Sequence, residues 1–160
     1  WKGMLNRCYD NKRQKSKISY KDVTVCEEWY NFQNFAQWYE QNYKESFELD
    51  KDILFKGNKI YSPQTCCFIP NEINVLFTKS NRTRGVLHIG VHHNNYKYVA
   101  SLNIESKKTY IGSYETEIED FQAYKIAKEI EIKRVADKWK EKITEQTYTA
   151  MYNYVVEITD

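Results

Sequence analysis

Five side chains between positions 50 and 74 could do chemistry together. Asp50, Asp52, Asn58 and Asn74 carry oxygen atoms suited to a hard divalent cation such as Mg²⁺ or Mn²⁺, and Lys51 lies between the two acids as a candidate base. A cation held this way polarises a phosphodiester and activates a bound water, so the chemistry that suits the set is metal-assisted hydrolysis. Asp50, Lys51, Asn58 and Asn74 are then the catalytic candidates, with Asp50, Asp52 and Asn74 as metal ligands. A structural hairpin with two surface acids accounts for the same residues without catalysis.

Holding such a set requires a hairpin and a helix. From Phe47 the apolar period shortens: Leu49, Ile53 and Leu54 flank the acids, Lys56-Gly57-Asn58-Lys59 supplies turn residues, and Ile60-Tyr61 resumes an extended reading. These runs predict a hairpin. Cys66 to Ile69 is apolar, and Pro70 is placed to open a short helix through Ile73 and Phe77. Upstream, Trp1, Met4, Leu5 and Cys8 fall at helical spacing, Asn11 to Lys17 reads as a basic loop, and Val23-Thr24-Val25 is a short β run. Trp29, Phe32, Phe35, Ala36 and Tyr39 then form an apolar helical face to about Tyr43.

Beyond a polar, basic connector at Thr78 to Thr83 come three strand-like runs, Val86 to His92, Tyr96 to Ile104 and Thr109 to Tyr114. Their short connections predict antiparallel hairpins. Thr116-Glu117-Ile118-Glu119 reads as a capping box that starts a long helix. That helix carries Ala123, Ile126, Ala127 and Ile130 on one side and Phe121, Tyr124, Ile132, Val135 and Trp139 on another; one side suffices for the sheet, and the other is expected to meet the segment Ile143 to Tyr154. In the second strand Tyr98, Ala100 and Leu102 alternate with Lys97, Val99, Ser101 and Asn103. One sheet face is left polar. Alternation adds His92 from the first strand, with Asn94 beyond it, and Lys108 and Tyr110 from the third; His88 falls on the same face by alternation but reads as structural, as does His93 on the opposite one. The result is a surface of donors, a ring and cations without an acid, which suits phosphates and base edges.

Residues 89 to 129, "IGVHHNNYKYVASLNIESKKTYIGSYETEIEDFQAYKIAKE", resemble the Apetala-type DNA-binding domain at Gly90-Val91, Tyr98 with Ala100, Ile111-Gly112-Ser113-Tyr114, Thr116 and Ala123-Tyr124. The resemblance implies that the exposed sheet face enters the major groove of double-stranded DNA through His92, Asn94, Lys97, Ser101, Asn103, Lys108 and Tyr110. Arg82 and Arg84 in the basic connector complete the DNA-binding candidates. The chain carries His, Asn and Ser where plant members carry Arg, Trp and Glu, so base preference does not transfer. The runs "WKGMLNRCY", "VTVCEEWYNFQNFAQWYEQN" and "YSPQTC", with Asn71 to Asn74, resemble HNH endonuclease-like proteins of phages, in which a ββα-metal unit precedes an Apetala-type domain. That resemblance implies a phage-type HNH DNA endonuclease acting in the host cytoplasm, with Mg²⁺ or Mn²⁺ if catalytic. The family's Asp-His pair stands here as Asp50-Lys51, so a lysine or a metal-bound hydroxide would replace the missing histidine. A DNA-binding protein or regulator that keeps the architecture without cutting is the competing class.

The expected organisation is α+β. An HNH-like unit with flanking helices spans 1–78, a three-stranded antiparallel sheet packed on a helix spans 84–136, and a helical tail spans 137–160. A net charge of +2 neither demands nor forbids a nucleic acid, but the opening segment is strongly basic: Lys2, Arg7, Lys12, Arg13, Lys15, Lys17 and Lys21 face only Asp10. No run approaches the length of a membrane span, so the reading is of an intracellular protein with no membrane partner. Cys8, Cys26, Cys66 and Cys67 read as free thiols rather than a bridge framework or a zinc site.

Overall fold

The computed structural model describes residues 1–16, 20–78, 87–94, 96–105 and 107–160, with backbone alone at 13, 15 and 16. These residues divide into two units, Trp1–Val75 with Ile143–Ala150 and Leu76–Lys142 with Met151–Asp160. The segment expected as a separate tail is therefore shared between the two.

The first unit is organised by aromatic rings. Helix α1 (Lys2–Tyr9) buries Met4 and Cys8, four residues apart on one face. The basic run predicted as a loop instead forms α2 (Asn11–Ser16). Its first turn is closed locally: the Gln14 amide N–H donates to the Asp10 carbonyl at 3.0 Å, and the Gln14 side chain donates to the Cys8 carbonyl. Strand β1 (Thr24–Val25) leads through a 3₁₀ turn at Glu27–Tyr30 into α3 (Phe32–Asn42). Asn31 caps α3, its Oδ1 accepting the Gln33 N–H at 2.9 Å. Trp29 is fully buried, with its ring centroid 5.1 Å from Phe35 and 4.8 Å from Trp38. Met4, Cys8, Val23, Val25, Tyr61 and Cys66 complete that core.

The hairpin predicted across residues 56–59 is not formed. Strand β2 (Phe47–Asp50) pairs antiparallel with β4 (Cys67–Pro70), while β3 (Ile60–Tyr61) runs parallel to β1. Lys56 and Gly57 do lie in a turn, but Asn58 folds it into a wider loop. Its side-chain amide donates at 2.7 Å to the carbonyls of both Lys51 and Ile60. Helix α4 (Asn71–Leu76) follows β4 directly, giving the order β, loop, β, α.

In the second unit β5 (Val91–His93), β6 (Tyr98–Ile104) and β7 (Lys107–Tyr114) form an antiparallel sheet in sequence order. Val91 and Ala100 stand opposite each other and are buried with Leu102 on the face covered by α5 (Glu117–Trp139). The capping box is present as read: Thr116 Oγ1 accepts the Glu119 N–H at 3.3 Å and Glu119 accepts the Thr116 N–H at 3.2 Å. Gly90, at φ +78°, turns the chain into β5 against the Tyr124 ring. Strand β5 is shorter than predicted, and His88 lies before this turn. His88 does not join His92 on the sheet, because its N–H donates to Glu117 at 2.8 Å and its ring lies 5.9 Å from Phe121. Within α5, Asp120 is 0% exposed and neither carboxylate oxygen has a hydrogen-bond partner among the described residues.

Of the two apolar sides of α5, Phe121, Tyr124, Ile132 and Val135 are buried, whereas Ile126 and Ile130 are 59% and 63% exposed. The closing segment, which buries Met151 and Val156, is also hydrogen-bonded to α5. Lys125 Nζ donates to the Val156 carbonyl at 2.5 Å, and the Val156 N–H donates to Glu129 at 2.9 Å. Helix α6 (Glu145–Tyr152) precedes that segment.

Candidate functional site

The register of the sheet collects most of the predicted DNA-binding residues. Ser101 is opposite Tyr110, Asn103 opposite Lys108, and His92 opposite Val99, so alternation sets His92, Ser101, Asn103, Lys108 and Tyr110 on the face away from α5. A bulge between Ala100 and Ser101 leaves Ile111 as the extra residue, which re-aims the end of β7. As a result Tyr110 folds back, its hydroxyl donating to Ser113 Oγ at 3.0 Å. Asn103, Lys108 and Tyr110 are exposed, while Ser101 and His92 are half-buried. Burial first, and then the nearby Lys108 ammonium, holds the His92 imidazole below its ordinary pKa.

Two predicted contacts have other duties. Asn94 closes the β5–β6 turn, its side-chain oxygen accepting the N–H groups of Tyr96 at 3.2 Å and Lys97 at 3.0 Å. Lys97 is bound to Glu115 at 2.7 Å, a contact that raises its pKa and brings an acid to a surface expected to have none. Arg82 and Arg84 lie outside the described residues. The sequence reading missed Tyr96, the turn-tip ring that is 88% exposed beside Lys97. Its signal was a large aromatic in a turn with no apolar neighbour in register.

The other predicted constellation lies on the β2–loop–β4–α4 arrangement. Asp50 ends β2 and its Oδ1 accepts the N–H groups of Asp52 at 2.8 Å and Ile53 at 2.7 Å. Burial raises its pKa, and these two amides oppose the rise. Lys51 is 4% exposed, with its ammonium 2.5 Å from Asp52 Oδ1, 3.1 Å from the Asn58 carbonyl and 5.8 Å from the Tyr61 ring centroid. Asn74 does not join this group. Its amide donates to Glu48, which also accepts from Asn71 at 3.1 Å.

The predicted ligands Asp50, Asp52 and Asn74 are thus engaged separately, and among the described residues no group of three or more His, Cys, Asp or Glu is placed to hold an ion. The cysteines are free, and burial pushes the thiols of Cys66 and Cys67 up to about 12.

These elements define the chain as a mixed α+β protein containing a three-stranded antiparallel sheet backed by a long helix, with a helical C-terminal segment. No family model, no curated protein and no solved structure matches it. Among the described residues no helix is long and apolar enough to cross a membrane.

Proposed function

We propose that this chain binds double-stranded DNA through the exposed face of β5–β6–β7. The observation that carries the reading is the register itself, which gathers His92, Ser101, Asn103, Lys108 and Tyr110 on one face. An ammonium, a carboxamide and hydroxyls serve phosphates and base edges alike. Lys108 is the phosphate anchor and Asn103 the candidate base reader.

Affinity for a short duplex is expected to fall steeply with salt. Lys108→Ala should reduce the log–log salt slope by about 1. Lys97→Ala should cost less, because Glu115 already neutralises that ammonium. Fluorescence anisotropy across a salt series measures both, and a flat dependence would sink the reading.

DNA cleavage of the phage HNH type is the second reading. It is favoured by the antiparallel pairing of β2 with β4 and the α4 helix that follows β4, with Asp50 closing the first strand and Asn58 tying the loop that leads to β3. Nicking of supercoiled plasmid in Mg²⁺ or Mn²⁺, lost in Asp50→Ala and Asp52→Ala, is the result expected of an endonuclease. An intact plasmid under both ions leaves a DNA-binding protein without cleavage.

A further inference from the structure

The loop between β2 and β3 gathers oxygen atoms around one point. Asp52 brings a carboxylate and Asn58 a backbone carbonyl, both directed at the same nitrogen. The Asn58 side chain braces the loop from behind, through the carbonyls of Lys51 and Ile60, and Asp50 caps the turn by taking two amides. In a loop that holds a hard cation, carboxylate and carbonyl oxygens converge in this manner on the ion. Here the group at the centre is the ammonium of Lys51, on a side chain 5% exposed with the Tyr61 ring beside it. A buried ammonium is tolerated only when it is paired and hydrogen-bonded, and this one has both an acid and a carbonyl.

We infer that the Lys51 ammonium is the resident cation of this loop, a covalently attached charge in the position that a divalent ion would take between Asp52 and the Asn58 carbonyl. Three consequences follow from the geometry. The first unit folds without metal. Asp52 is held in place by a neighbour in sequence rather than by an ion drawn from solution. Removing the ammonium while keeping the oxygens creates a divalent-cation site where the parent chain has none.

The test uses the whole chain without DNA, so its outcome is independent of the DNA-binding reading; the inference opposes the cleavage reading, which needs an ion at Asp52. Thermal melts and Mn²⁺ titration by calorimetry are run on the parent protein, Lys51→Ala, Asp52→Asn and the double variant Lys51→Ala with Asp52→Asn. The parent is expected to melt at the same temperature in EDTA, Mg²⁺ and Mn²⁺ and to take up no stoichiometric Mn²⁺. Lys51→Ala is expected to melt lower in EDTA, to regain stability with Mn²⁺, and to bind the ion at least tenfold more tightly than the parent; the double variant loses this gain. Stoichiometric Mn²⁺ uptake by the parent that disappears in Asp52→Asn overturns the inference, and this measurement stands even if Lys51→Ala does not fold. A folded Lys51→Ala indifferent to Mn²⁺ overturns it as well.

Discussion

Asp120→Asn is expected to raise the melting temperature at pH 7.5 by roughly 5–10 °C and to leave it nearly unchanged at pH 3.5. The carboxyl of Asp120 is 0% exposed, and both of its oxygens lack a hydrogen-bond partner among the described residues. Burial pushes its pKa up to about 6; the field of the Ala100 amide opposes the shift and the Glu117 carboxylate adds to it. An unfolded chain releases that proton near pH 3.9. Between those values the folded chain holds a proton that the unfolded chain has lost, so stability falls as pH rises from about 4 to 6. Above the folded pKa the full cost of the buried charge is present, about 2–3 kcal/mol before a smaller favourable contribution from the start of α5. An asparagine of the same shape carries no such charge. Melts of both proteins from pH 3.5 to 8 are the check: a gain of the same size at every pH would assign the effect to packing instead.

Gly90→Ala is expected to unfold the sheet–helix unit or to weaken it by about 2–5 kcal/mol. Two independent costs combine at this position. Gly90 has φ +78°, where any side chain is strained, and an added Cβ would lie 2.0 Å from Tyr124 Cδ2. A partial relief is available to the double variant Gly90→Ala with Tyr124→Ala, which removes the clash but keeps the strained dihedral. Chemical denaturation of the three proteins separates the terms. If Gly90→Ala were as stable as the parent, the close seating of β5 on α5 would be wrong.

The two halves of the chain differ in how much their sequence revealed. The sheet was legible because strand alternation is local: Val91, Ala100 and Leu102 are buried where period two places them. The start of α5 was legible for the same reason, Thr116 and Glu119 meeting within one turn. The pairing of β3 with β1 was not, because a two-residue parallel contact depends on segments more than thirty positions apart and leaves no periodic trace. Lys51 illustrates the limit for the candidate site. A lysine between two aspartates reads as surface charge or as a base, and the carbonyl that draws it inward belongs to Asn58, whose backbone has no sequence signature. Asn94 was singled out for its side chain, yet the turn it closes uses the oxygen that a DNA contact would need.

The first unit is completed by Ile143–Ala150, a stretch that contributes the buried Ile143 and Thr147 only after the whole sheet-bearing region has been made. Completing this unit therefore requires the chain to be made through Ala150, so the sheet-bearing region leaves the ribosome before the first unit can close. The same interleaving constrains gene shuffling: a crossover placed in the 78–84 connector would separate the first unit from its last segment. The two units travel as one inheritable piece, and neither can be moved as a cassette by a single cut.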